Sequence, residues 1–383
     1  MNKMTRAVKS LVFIIVVFTS LAVQSAVSPV PAPPKLAANS YLLIDFNSGR
    51  ILAEKNIDEK IEPASITKLM TAYVVYKEME MGRLTLDEQV TVSKKAWEMG
   101  GSKMFIEVGK QVSVKDLLNG LVIQSGNDAT IALAEHIAGS ENVFADYMNQ
   151  YARSLGMNDT HFVNSTGWPH KEHLTTARDI ATLAKAVIQE FPERYKLYSE
   201  KEFTYNGIRQ YNRNKLLWQD KTVDGVKTGH TESAGYCLVS SAERDEMRLI
   251  SVVLGTRSEK TRADVSQSLL SYGFRFYESN RLYAAGENIN QARVWKGELE
   301  QLGVGLLEDL YVTIPRGQYK SLDAVMEINK NIEAPVEKGQ QLGMVRVLLN
   351  NDEILSRPLV ALQAVDKGSL WQRTKDQIIK LFQ

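Results

Sequence analysis

The chain has 383 residues, 44% of them apolar, enough to fill more than one core. Its 46 basic and 45 acidic residues leave a formal charge of +1, which gives no support to nucleic-acid binding or to a strongly acidic partner. Its one cysteine, Cys237, excludes a disulfide within the chain, and the setting Tyr236-Cys237-Leu238-Val239 reads as a small buried hydrophobe rather than a reactive thiol.

In chain order, Lys3, Arg6 and Lys9 precede an apolar run over residues 11–18 and small residues around Ser25 and Ala26, which predicts a signal peptide over residues 1–26. The run falls short of the roughly 20 residues that a membrane-spanning helix needs. Residues 27–36 are proline-rich and read as an extended spacer. Residues 41–45 and 50–54 form a predicted hairpin across Asn47-Ser48-Gly49. A mostly buried helix is expected over 65–81, stopped at Gly82, with Ser65 in its first turn. Further helices fit 114–123, 128–138, 143–155 and 177–190, the last with Thr175 and Thr176 as cap candidates.

The period then changes. Residues 236–241 and 247–254 read as strands around the charged turn Glu243-Arg244-Asp245-Glu246, followed by a helix from Arg262 to about Glu278. Strands before and after a block of helices predict a mixed α/β fold, a sheet completed by distant segments with helices on its faces, over residues 37–280. Short strands at 311–315, 343–348 and 358–362 predict a small all-β domain over 281–366.

Residues 367–383 form a predicted amphipathic tail. At 100° per residue Leu370, Trp371, Ile378, Leu381 and Phe382 share one side, opposite Arg373, Asp376 and Lys380. Such a helix is too short and too charged to span a bilayer, but it suits a membrane surface.

Three short motifs carry the chemistry: Ser65-x-x-Lys68, Ser125-Gly126-Asn127 and Lys227-Thr228-Gly229. Residues three apart on a helix share a face, so Lys68 can reach Ser65. A serine hydroxyl becomes a nucleophile when a base takes its proton, and a neutral amine can be that base. Free lysine titrates near about 10.4, so Lys68 needs burial and a second cation to stay neutral, with Lys227 the expected cation. Lys227-Thr228-Gly229 opens a strand whose edge can hydrogen-bond an extended peptide, Gly229 leaving room for it.

In this order the motifs resemble those of penicillin-binding proteins and serine β-lactamases. The longer runs Glu62-Pro63-Ala64-Ser65-Ile66-Thr67-Lys68, Gln124-Ser125-Gly126-Asn127-Asp128-Ala129, Asn212-Arg213-Asn214 and Asp224-Gly225-Val226-Lys227-Thr228-Gly229-His230-Thr231 are most similar to the low-molecular-mass D-alanyl-D-alanine carboxypeptidases. The resemblance implies the transpeptidase-like fold, an antiparallel sheet flanked by helices. It also implies cleavage of the terminal D-alanine from a peptidoglycan stem peptide, and β-lactams as covalent inhibitors. Ser125 is then expected to relay a proton to the leaving amine and Asn127 to bind substrate amides. Lys227, Thr228 and Arg213 are expected to hold the carboxylate, and the N–H groups of Ser65 and His230 to hold the oxyanion.

No metal or organic cofactor is implied. His170-Lys171-Glu172-His173 lacks the H-E-x-x-H order of zinc peptidases, and both histidines read as loop residues. The rival readings are a serine β-lactamase, a D,D-endopeptidase of the same superfamily, and a non-catalytic cell-wall scaffold. The absence of an E-x-x-L-N run weighs against a class A β-lactamase. Secretion to the periplasmic face, with the tail held at the membrane, completes the expectation.

Overall fold

The computed structural model describes residues 30–380. The expected signal peptide, and Leu381 and Phe382 of the tail, lie outside them. The predicted hairpin forms as β1 (Ser40–Asp45) and β2 (Ile51–Lys55). Distant strands β3 (Val223–Thr231), β4 (Gly235–Arg244) and β5 (Met247–Thr256) complete an antiparallel sheet in the order β2-β1-β5-β4-β3. β3, which carries Lys227-Thr228-Gly229, is therefore an edge strand. The charged turn between β4 and β5 tightens to Asp245 and Glu246, both at positive φ, as the right-handed twist of a two-residue hairpin favours.

Alternation along the strands builds two cores. Leu42, Ile44, Ile250, Val252 and Leu254 face one; Tyr41, Leu43, Leu249 and Val253 face the other. Helices α1 (Lys68–Glu80), α2 (Asn127–Ala138), α3 (Glu141–Ser154) and α4 (Ala177–Glu190) fill the first side, and α5 (Glu259–Phe276) covers the second. The Thr176 hydroxyl caps α4 by accepting from Asp179 N–H at 3.1 Å, a contact worth ~1 kcal/mol.

Two departures from the expected helices matter for the site. Ala64–Thr67 is a 3-10 turn, so Ser65 precedes α1 instead of lying in its first turn. Helix ends often tighten in this way, and here Ala64 enters at φ +49°. The helix expected over 114–123 is α-helical only over Val114–Asn119 and widens into a π turn over Gly120–Gln124. That widening delivers Ser125 at φ +63°, a conformation costly for a non-glycine residue and found disproportionately at functional sites.

After α5 the chain enters strands. Tyr277–Tyr283 pairs with Leu310–Pro315, and a separate six-stranded sheet includes Gln341–Leu349 and Asp352–Ala361. The strands expected at 311–315 and 343–348 fall within these spans, the one expected at 358–362 ends one residue sooner, at Ala361, and the expected helix stops two residues early, at Phe276. The described part of the proline-rich segment is laid on the body, with Val30 and Leu36 against the second core and Tyr272 Oη donating to Pro31 O at 3.0 Å. The tail forms the helix α6 (Leu370–Lys380). Among the described residues no helix is long and apolar enough to cross a membrane.

Candidate active site

The cleft lies where the Ser65 turn, the Ser125 turn and the β3 edge meet. Lys68, wholly buried, places Nζ 3.0 Å from Ser65 Oγ and donates to Asn127 Oδ1 and Thr166 O, both at 2.7 Å. A neutral amine has two N–H groups and one lone pair. The two acceptors use the N–H groups, leaving the lone pair for the Ser65 hydroxyl.

Burial and then the Arg213 charge push the Lys68 pKa down to about 7, against the pull of Asp128 and Glu141. Arg213 thus takes the part expected of Lys227. Lys227 is itself pushed well below the usual lysine range, by burial first and then by Lys68, Arg213 and Arg262. Its Nζ donates to Ser125 Oγ at 2.9 Å and to Thr228 O at 3.1 Å. The buried cleft disfavours full protonation of this cluster, so both amines are biased toward their neutral forms.

Arg213 is exposed, and its Nε donates to Gln124 O at 3.1 Å beside Ser125. Thr228 is buried next to Lys227, and His230 is exposed with its ring 3.9 Å from that of Tyr236, centroid to centroid. Gly229 has a different use from the one expected. A Cβ there would stand 2.9 Å from Pro63 O and 3.2 Å from Ile66 Cγ1, so the missing side chain lets β3 press against the Ser65 turn instead of making room for a ligand.

Several supporting groups escaped the motif reading. Arg262, on the first turn of α5, is 5% exposed and donates Nη1 to Gly229 O at 3.2 Å from behind the sheet. Asp128 is buried and accepts from the N–H groups of Met104 and Phe105 at 3.0 and 2.9 Å, tying down the loop beside Asn127. The loop carrying Thr166 is fixed to α1, since Thr71 Oγ1 donates to Ser165 O at 2.6 Å. Glu141 accepts from Ser165 Oγ at 2.8 Å. His173 accepts from Val163 N–H through Nδ1 and therefore donates through Nε2 to Thr67 Oγ1 at 2.8 Å. Burial, with His161 and His170 next, holds its pKa down at about 4, so the imidazole stays neutral. None of these side chains belongs to a short motif; only Asp128 was adjacent to one.

A serine within reach of a buried amine, a second serine held by a second amine, and an edge strand beside them are the parts that an acyl-transfer centre requires. Among known proteins, a family profile described as D-alanyl-D-alanine carboxypeptidase matches residues 27–258, and one described as penicillin-binding protein 5, C-terminal domain, matches 277–367. The chain is 44% identical over 357 residues to the D-alanyl-D-alanine carboxypeptidase DacC of Escherichia coli (strain K12), covering 91% of this chain and 89% of that protein. Penicillin binding protein 5 from Haemophilus influenzae superposes with a TM-score of 0.85 at 42% identity, over 88% of this chain and 100% of that one. The ampicillin-bound penicillin-binding protein D2 of Listeria monocytogenes superposes with a TM-score of 0.59 at 31% identity, over 63% of this chain and 100% of that one. With a serine-lysine centre in this fold and matches spanning both parts of the molecule, the chain belongs to the D-alanyl-D-alanine carboxypeptidase family of serine penicillin-binding proteins.

Proposed function

We propose that this serine D,D-carboxypeptidase removes the terminal D-alanine of peptidoglycan stem pentapeptides through an acyl-enzyme on Ser65. The terminal carboxylate is held by Thr228, Lys227 and Arg213, and Asn127 engages a substrate amide. Lys68 takes the Ser65 proton as Oγ attacks the scissile carbonyl. The oxyanion is met by the backbone N–H groups of Ser65 and His230, donors that gain most as charge develops. Ser125, held by Lys227, relays a proton to the leaving amine, its own hydroxyl proton being replaced by the one Lys68 has taken, and D-alanine departs. Water, giving its proton to Lys68 and through it to Ser65 Oγ, then releases the shortened peptide. Gly229 contributes by letting β3 approach the Ser65 turn.

The observation that carries this reading is the three-way setting of Lys68 Nζ, which spends two N–H groups on fixed acceptors and leaves the third direction at Ser65. β-Lactams, cyclic acyl donors that resemble D-alanyl-D-alanine, acylate the same oxygen. Among the described residues no carboxylate hydrogen-bonds Ser65 or Lys68, and Glu141 is committed to Ser165 and Lys95. That supports slow release of bound penicillin over β-lactamase turnover. Ser65→Ala is expected to abolish labelling by a fluorescent penicillin, and labelling that persists in this variant overturns the assignment.

The finer placement is secretion by the residue 1–26 segment and action at the periplasmic face. There α6 lies on the membrane and the β-rich unit (281–366) stands between it and the catalytic unit (37–280). The outward apolar side chains of α6, Leu370 and Trp371 at 78% and 79% exposure, support this placement.

A further inference from the structure

The two ends of the cleft differ in chemistry. At one, Lys227 and Arg213 gather around the Ser125 turn, with Arg262 behind them. At the other, past Lys68 and Asn127, stands Trp168, a residue 49% exposed. Placed at the edge of the cleft, the indole offers a flat apolar face to whatever the cleft binds.

This tryptophan is firmly held. Asn164 Oδ1 accepts from the N–H groups of Thr166, Gly167 and Trp168 at 3.2, 2.8 and 3.0 Å, and Asn164 Nδ2 donates to Trp168 O at 2.9 Å. Gly167, at φ +82°, lets the loop lie directly on the Ser65 turn, since a Cβ there would come within 1.8 Å of Ala64 O. The same short loop therefore supplies a carbonyl to Lys68, through Thr166, and an exposed ring two residues later.

The ring borders the path of the substrate. A Cβ on Gly100 would meet Trp168 Cη2 at 3.5 Å, and one on Gly101 would meet Trp168 Cζ3 at 3.5 Å and Asn127 Nδ2 at 2.7 Å. Gly100 O also accepts from Asn127 Nδ2 at 2.7 Å. The indole and the Asn127 amide therefore flank the place where a Gly101 side chain would stand. On the Ser65 acyl-enzyme reading, a peptide with its carboxylate at the cationic end and its scissile carbonyl at Ser65 leaves the cleft past Asn127. The residue before D-alanyl-D-alanine then arrives beside Trp168.

We infer that Trp168 is a specificity-determining residue whose exposed face receives the aliphatic side chain of the residue preceding D-alanyl-D-alanine, favouring a long diamino-acid side chain over a short one. Methylene groups laid on the indole leave water, and the flat ring accepts a chain of variable end group without demanding a hydrogen bond.

The test compares kcat/KM for diacetyl-L-lysyl-D-alanyl-D-alanine and acetyl-glycyl-D-alanyl-D-alanine. The unaltered enzyme is expected to prefer the lysyl peptide. Trp168→Ala is expected to cut its kcat/KM about tenfold, equivalent to ~1.4 kcal/mol, mostly through KM, and to narrow the preference toward one, with Trp168→Phe recovering part of it. If the loop were merely structural, both peptides and penicillin labelling would fall together with the preference intact, and that result overturns the inference. So does an unaltered enzyme that treats the two peptides alike. Failure of the underlying reading has its own signature: penicillin labelling that survives Ser65→Ala removes both.

Discussion

The lysine beside Ser65 sits in a cleft that disfavours its charge. The fall of Lys68 from the ordinary lysine value of 10.5 to about 7 is equivalent to ~5 kcal/mol between its two protonation states. The acylation rate constant for a fluorescent penicillin should therefore rise roughly tenfold per pH unit below about 7 and level off above it, as the fraction of neutral amine does. Arg213 is the largest cationic cause of the shift, so Arg213→Ala relieves repulsion on protonated Lys68 and should move the midpoint upward. A flat profile, or a midpoint that stays put in this variant, contradicts Lys68 as the base. Ser65 and Lys68 were legible because a three-residue spacing brings them together in a helical turn, α or 3-10, and the two further motifs single the pair out. Arg262 and Thr166 were not, since one reaches the site from behind the sheet and the other acts through its backbone oxygen, which no side-chain motif records.

The tail helix shows how far an element can be read and where its packing reverses expectation. Its amphipathic pattern predicts one apolar and one charged side, and an ordinary surface helix buries the apolar one. α6 docks the other way round. Asp376, 6% exposed, accepts from Lys296 N–H at 2.6 Å, while Lys375 and Lys380 reach Glu300 and Glu333 at 3.3 and 2.7 Å. The exposed pairs add little, so the buried Asp376 contact, worth ~1–3 kcal/mol, is the main polar latch. Leu370, Trp371 and Ile378 are left outward, and a lipid surface is the partner that would cover them. A chain ending at Asp366 should stay in the supernatant with phosphatidylglycerol-containing vesicles and keep its D-alanine release, whereas the chain with α6 should pellet with them. Equal partitioning of the two sinks the anchor. The hairpin of Glu202–Tyr205 and Ile208–Tyr211 was missed in the sequence because its strands are too polar to show a buried face. Its Asn206-Gly207 turn was the available signal.

At the scale of the molecule, the cores on the two sides of the catalytic sheet share no buried residue with those of the β-rich part. Hydrogen bonds cross the junction. Arg50 Nη1 donates to Thr313 O at 2.5 Å, Ser48 and Thr313 share a hydroxyl contact at 2.6 Å, and Arg316 Nη2 donates to Phe274 O at 2.9 Å. Separate apolar cores joined by a few hydrogen bonds unfold with weak coupling, because each bond contributes only ~1 kcal/mol against the much larger burial within each unit. Calorimetry should therefore resolve two thermal transitions. Acylation of Ser65 by penicillin occupies only the folded catalytic unit, so it should raise one transition and leave the other in place. Arg50→Ala removes a junction contact without touching the cleft, and it should separate the transitions further while leaving the penicillin-induced rise intact. One transition that shifts as a whole on acylation would mean that the two parts fold as a single cooperative body, with the junction carrying more energy than its hydrogen bonds account for.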